Sequence, residues 1–210
     1  MTDLIGRITE RMNAPLPGRP AHLQMAHITR RHYVDAPAEA KQAAVLMALF
    51  PKNEEWHILF IERNANDRDH HGGQIGFPGG KAELGDASML ATALREAEEE
   101  VGIGREEVKV IGGLTELYIP VSNFQVHPFL GYLEEKPNYL LQAEEVNAVL
   151  EVPLSHFQLT KVRRSTDIRI APQITLKHVP YFDVQGRVLW GATAMMLNEL
   201  LEIIGRYPKA

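Results

Sequence analysis

Residues 80 to 103, GKAELGDASMLATALREAEEEVGI, constrain this chain more than any other segment. Read as a helix at about 100° per residue, they bring Glu96, Glu99 and Glu100 within an arc of roughly 100°. Leu90, Ala93, Leu94, Ala97 and Val101 fall on another side as an apolar stripe. The stripe needs a core to cover it, and the carboxylates need a cation. Like charges three or four residues apart destabilise a helix by roughly a few tenths of a kcal/mol in water, and by more where water is scarce. A compact group of carboxylate oxygens suits Mg²⁺ or Mn²⁺, which phosphate chemistry commonly holds with a few carboxylates and the substrate's own oxygens. A solvated acidic face is the plain alternative, and the helix alone leaves both readings open.

The surrounding residues decide between them. Gly80 is followed after five residues by Asp86, and then comes Arg95-Glu96-Ala97-Glu98-Glu99-Glu100-Val101-Gly102-Ile103. This run resembles the Nudix box, G-x5-E-x7-R-E-U-x-E-E-x-G-U with U apolar. One departure is visible: Asp86 stands where the family usually has Glu, and eight residues rather than seven separate it from Arg95. Asp86 is therefore read as a helix cap with a supporting role behind the ligands.

Composition sets the outer bounds. A chain of 210 residues with 45% hydrophobic content can bury one substantial core, read here as an N-terminal helix-and-linker extension, 1–35, followed by a catalytic domain, 36–207. The formal net charge of −5, without a long basic run, argues against wrapping a nucleic-acid polymer. The longest wholly apolar run, Ala43 to Phe50, is too short to span a bilayer. The start, MTDLIGRITERM, lacks the core of a signal peptide, so a soluble cytoplasmic protein is expected. The sequence contains no cysteine, which excludes disulfides, thiolate metal sites and cysteine nucleophiles.

Along the chain, Leu4, Ile5, Ile8 and Met12 recur at helical spacing before Pro15, Pro17, Gly18 and Pro20 interrupt. That stripe must be covered, by the same domain or by a second copy, and a homodimer using this helix is expected. Ala43–Phe50 and Trp56–Arg63 read as a hairpin, with Arg63 at the strand end. The polar stretch 64–76 carries three glycines and the adjacent His70 and His71, to which no catalytic role is given; Phe77-Pro78-Gly79-Gly80 closes it. Further strands are expected at 108–117, 126–133, 166–181 and 187–190, with an apolar stretch over 146–152 after Glu144 and Glu145 and a closing helix over 192–204. Strands before and after a central helix indicate an α/β fold with a mixed sheet covered by helices. The Nudix resemblance implies the specific α/β/α sandwich.

It also implies the chemistry. Nudix hydrolases cleave a nucleoside diphosphate linked to another moiety, with Glu96, Glu99 and Glu100 carried over as metal ligands and Arg95 as the group that fixes a motif carboxylate. Glu96 is a candidate general base, and Glu116, Glu144 and Glu145 are candidates outside the box. Upstream, Leu59-Phe60-Ile61-Glu62-Arg63, Arg68, Gly73 and Phe77-Pro78-Gly79-Gly80 are similar in part to the coenzyme A pyrophosphatase pattern, L-L-T-x-R-[SA]-x3-R-x3-G-x3-F-P-G-G. Phe60, Ile61 and Asn64 replace the expected Leu, Thr and Ser or Ala, and the gap from Arg68 to Gly73 is one residue longer than the pattern's. Trp190-Gly191-Ala192-Thr193-Ala194 resembles the WGxTA segment of the same branch. The resemblance implies cleavage of coenzyme A to 3′,5′-ADP and 4′-phosphopantetheine, with Arg63, Arg68, Gly79 and Gly80 binding substrate. The alternatives are another nucleotide substrate, such as ADP-ribose, a dinucleotide or a nucleoside triphosphate, and a non-catalytic nucleotide sensor.

Overall fold

The computed structural model describes residues 2–30, 34–64, 73–159, 161–171 and 173–205. β1 (Lys41–Lys52) and β2 (Glu55–Arg63) form the expected hairpin. They turn at Asn53 and Glu54, both at positive φ, the geometry whose twist matches two antiparallel strands. Their pairing runs only from Leu49↔Ile58 to Lys52↔Glu55. Beyond it the strands part, leaving two rows of backbone groups that need partners. The glycine-rich segment supplies them as two short strands, β3 (Ile75–Gly76) on β2 and β4 (Gly79–Lys81) on β1.

The stretch 108–117, expected as one strand, is interrupted. β5 (Lys109–Gly113) ends where Leu114 N–H donates to Pro128 O, and the chain resumes pairing only at β6 (Leu117–Ile119). Both lie antiparallel to β7 (Phe124–Tyr132), which runs parallel to β1 from Lys41↔Phe124 to Leu49↔Tyr132. β8 (Val146–Pro153) pairs with the outer side of β2. The result is one mixed eight-stranded sheet. Its alternation directs Ala44, Leu46, Leu59 and Ile61 to one face, where Ala93, Ala97 and Val101 of α3 (Met89–Val101) cover them.

The opposite face carries Met47, Phe60 and Leu130 and is covered by α1 (Thr2–Met12), α2 (Gly18–Leu23) and α4 (Gly191–Ile204). A second sheet lies on this side, with β10 (Ile174–Val184) between β9 (Arg163–Ala171) and β11 (Arg187–Trp190). Helices on both faces of a mixed sheet are the layering expected from the sequence. Among the described residues no helix is long and apolar enough to cross a membrane.

The leader helix takes one of the two covers expected for its stripe. Leu4 and Ile8 are buried, Ile5 and Met12 pack against the same core, and Arg11 Nη1 donates to Ile203 O at 2.7 Å. The stripe is covered by α4 of its own chain, the first of the two covers expected, and its apolar face joins the core there.

This docking is fastened by a carboxylate that the sequence did not single out. Glu199 is fully buried on α4 and accepts from Gly18 N–H (3.0 Å), Thr115 N–H (3.2 Å) and Thr115 Oγ1 (2.6 Å), while His22 Nε2 stands 3.0 Å away. Burial pulls its pKa upward, but the bonds from His22, Thr115 and Gly18 together hold it below the ordinary value. A depressed native pKa makes this stabilisation fully present above the ordinary carboxylate pKa and lost as pH falls through the native value. Glu199→Gln is expected to cost about 1–3 kcal/mol near neutrality. In urea melts, the gap between wild type and variant is expected to close below pH 4.5, the ordinary value, as the wild type loses its advantage.

Candidate active site

The helix that carries the carboxylates is bounded by local chemistry. Ser88 caps it by accepting Ala91 N–H at 3.1 Å, and Gly102, in the left-handed conformation, ends it with its N–H on Glu98 O. Asp86, expected as the cap, lies two residues too early for that task. Its two oxygens instead accept Arg95 Nε and Nη2, each at 3.0 Å, and also Glu83 N–H and Thr92 Oγ1, each at 2.9 Å. The paired guanidinium bonds hold the Asp86 carboxyl well below the usual carboxylate range and raise Arg95 in turn.

Arg95 has donors left after this fork. Its Nη1 reaches Glu96 Oε1 at 2.9 Å and Glu99 Oε2 at 2.8 Å, and Nη2 also donates to Lys81 O at 3.1 Å. One planar group therefore spans the loop before the helix and two of its acids. Arg95 thus bonds two motif carboxylates at once.

The third acid looks inward. Glu100 is 1% exposed, its Oε2 accepting Gly79 N–H at 2.8 Å and its Oε1 lying 3.4 Å from Arg63 Nη1. Burial pushes its carboxyl up to about 7, against the opposing pull of Gly79 and Arg63, with Glu96 and Glu145 adding repulsion. Burial raises Glu96 as well, opposed by Arg95 and reinforced by Glu99 and Glu145. Glu99 is the solvent-facing member of the three.

The glycines are there for close approach. At Gly79, with φ of 154°, an added Cβ would stand 2.3 Å from Ala44 O, so the backbone of β4 lies where no side chain fits. At Gly80 it would stand 2.5 Å from the Glu96 carboxylate. The acids of α3 thus rest directly against the main chain of β4.

Other residues named from the sequence are placed as follows. Arg63 ends β2 and faces Glu100, whereas Arg68, His70 and His71 lie outside the described residues. Of the acids outside the box, Glu145 is the one whose charge bears on both Glu96 and Glu100. Glu116 is engaged by His127 (3.1 Å) and Gln125 (2.7 Å), and Glu144 is an exposed loop residue. Thr92, buried behind Asp86, was not foreseen. Among the described residues no three His, Asp or Glu side chains stand gathered as a ready metal site. The reason is visible: Arg95 bonds Glu96 and Glu99, and Glu100 turns to Gly79. The donor set nevertheless fits a hard divalent cation, being all oxygen, clustered and mutually repelling.

A family model described as NUDIX domain matches residues 40–172. A protein named Uncharacterized Nudix hydrolase NudL from Enterobacter sp. (strain 638) is 38% identical over 168 residues, covering 80% of this chain and 85% of that protein. A protein of the same name from Yersinia pestis (strain Pestoides F) is 34% identical over 176 residues, covering 83% and 84%. Among solved structures, a MutT/nudix family protein from Enterococcus faecalis aligns with a TM-score of 0.52 at 12% identity, covering 88% of this chain and 77% of that one, a likeness of fold alone.

The contact between Gly80 and Glu96 gives a direct test of how the acids are seated. Gly80→Ala is expected to keep the fold and displace Glu96, lowering hydrolytic turnover at least about tenfold, since loss of alignment by about 1 Å can cost more than that. Gly85→Ala, where the added methyl meets nothing within 4 Å, is expected to leave both melting temperature and turnover unchanged.

Proposed function

Because this chain belongs to the Nudix hydrolase family, whose members generally use divalent metal ions, we propose that it cleaves coenzyme A or its derivatives to 3′,5′-ADP and 4′-phosphopantetheine with Mg²⁺ or Mn²⁺. The observation that carries the substrate reading is the meeting of two sequence patterns at one carboxylate. Arg63 and Gly79, from the upstream pattern, both bear on Glu100, and Gly80 seats Glu96. The pattern similar to the coenzyme A branch and the hydrolytic box thus form one site. The WGATA segment at 190–194 adds to this reading.

In this account Glu96, Glu99 and Glu100 hold the cation. When bound, it neutralises phosphate oxygens and makes water acidic enough to attack near neutral pH. Water oxygen bonds to one phosphorus of the bridge, the bond from that phosphorus to the bridging oxygen breaks, and the water proton passes to a carboxylate. Glu96 and Glu145 are the carboxylates we propose for that proton, Glu145 because its charge acts on both Glu96 and Glu100. Arg95, forked on Asp86, would keep the helix oriented, and Glu96, Glu99 and Glu100 would be the residues to hold the cation. Arg63, Gly79 and Gly80 face the substrate's phosphates.

The deciding experiment is a panel of kcat/KM values on coenzyme A, acetyl-coenzyme A, ADP-ribose, NADH and nucleoside triphosphates. Coenzyme A is expected to lead; faster cleavage of ADP-ribose under the same conditions contradicts the substrate reading. Glu99→Gln and Glu100→Gln each remove a ligand charge with little change of volume. Each is expected to lower kcat by about a hundredfold or more, equivalent to about 2.7 kcal/mol of transition-state stabilisation. Near-wild-type turnover of both variants in saturating Mg²⁺ would sink the metal assignment.

A further inference from the structure

A cavity of about 360 Å³ lies between β3 and the face of the small sheet, and none of the motif carboxylates lines it. The register Trp190↔Tyr181↔Arg164 puts alternate residues of β9 and β11 on one face. Thr166 and Ile168 therefore join Val188 and Trp190 as its floor, while Gln74 and Ile75 form the opposite wall. The wall is tied to the hydrolytic site through backbone. Gly73 N–H donates to Arg63 O and Arg63 N–H donates to Gln74 O, at 2.9 and 3.0 Å, and the Arg63 guanidinium meets Glu100.

Two properties of this cavity bear on its use. The family match ends at residue 172, so β10 and β11, with Val188 and Trp190, lie beyond the part shared with the family at large. Members that share hydrolytic residues must separate their substrates elsewhere, and an added wall beside the common site is a place to do so. The lining is also chemically selective. Ile75, Ile168, Val188 and the Trp190 indole give apolar surface, and Thr166, Gln74 and the backbone of β9, the outer strand of its sheet, offer hydrogen bonds of both kinds. The two charged residues at its edge lie on the alternate positions of β9 and are engaged: Asp167 by Lys177 Nζ (2.7 Å) and His178 N–H (3.1 Å), and Arg169 through Nε, which donates to Ala171 O (3.4 Å). Such a site suits an uncharged, extended chain of methyl, methylene and amide groups. A nucleobase would find a single aromatic wall.

We propose that this cavity receives the pantetheine arm of the substrate, an inference that rests on the coenzyme A reading and assigns the arm a place. Ile168, on the floor, and Trp190, at the start of α4, then determine specificity while the acids of α3 carry the chemistry.

The full chain labelled with 5-fluorotryptophan has two ¹⁹F reporters, Trp56 and Trp190, which Trp190→Phe assigns. Titration with pantetheine is expected to shift the Trp190 resonance saturably and leave Trp56 in place, and adenosine 3′,5′-bisphosphate is expected to leave Trp190 unmoved. Ile168→Arg, which fills the cavity from a partly exposed strand position, is expected to abolish the pantetheine shift. The same variant is expected to raise KM for coenzyme A at least tenfold at nearly constant kcat. A Trp190 resonance that ignores pantetheine, or answers to the bisphosphate instead, overturns the assignment. Coenzyme A hydrolysis without a pantetheine response sinks the cavity and leaves the substrate reading. A pantetheine response in a protein that does not cleave coenzyme A does the reverse.

Discussion

The guanidinium of Arg95 is the contact on which the rest of the site depends. It bonds both oxygens of Asp86, one oxygen each of Glu96 and Glu99, and the carbonyl of Lys81. Three acids on one turn of a helix repel one another, and this fork supplies the local countercharge while its planar geometry fixes where two of them point. It also joins the helix to the loop that precedes it, since Lys81 and Asp86 lie on the far side of the helix start. A lysine would retain the charge and lose the fork. Glu100 is left outside this arrangement, buried against Gly79 and Arg63 with its carboxyl raised to about 7.

The parting of β1 and β2 makes room for this group. Had the hairpin stayed paired along its whole length, no backbone edge would be open to β3 and β4, and no glycine main chain would lie under α3. Gly79 and Gly80 then bring the sheet within touching distance of Glu100 and Glu96. On the other face, Glu199 binds Gly18 and Thr115 so that the N-terminal helices close over the core. The two faces of one sheet thus divide the work between chemistry and containment.

Much of this was legible in the sequence where the signal is local. The period of 3.6 showed α3 and α4, and the apolar runs showed β1 and β2; the bounds of α4, β1 and β2 came within two residues, whereas the start of α3 at Met89 was not marked, and the motif gave the acids and Arg95. What escaped depends on partners distant in sequence. β3 and β4 form because β1 and β2 offer open edges, a circumstance that their glycine-rich composition cannot announce. The stripe of α1 was legible as apolar, but its cover, α4, lies about 190 residues away. Asp86 was misread as a cap because Asp commonly fills that role near a helix start, while Ser88 stood two residues closer to the helix. The influence of Glu145 on Glu96 and Glu100 requires the loop before β8 to return to α3, and no local pattern encodes that return.

Diffraction from crystals grown with Mn²⁺ and measured for its anomalous signal tests the central claim most directly. A peak among the carboxylates of Glu96, Glu99 and Glu100 is expected, with Arg95 still forked on Asp86 but released from Glu96 and Glu99. A peak elsewhere, or Arg95 still bonded to both glutamates in a metal-saturated crystal, contradicts it.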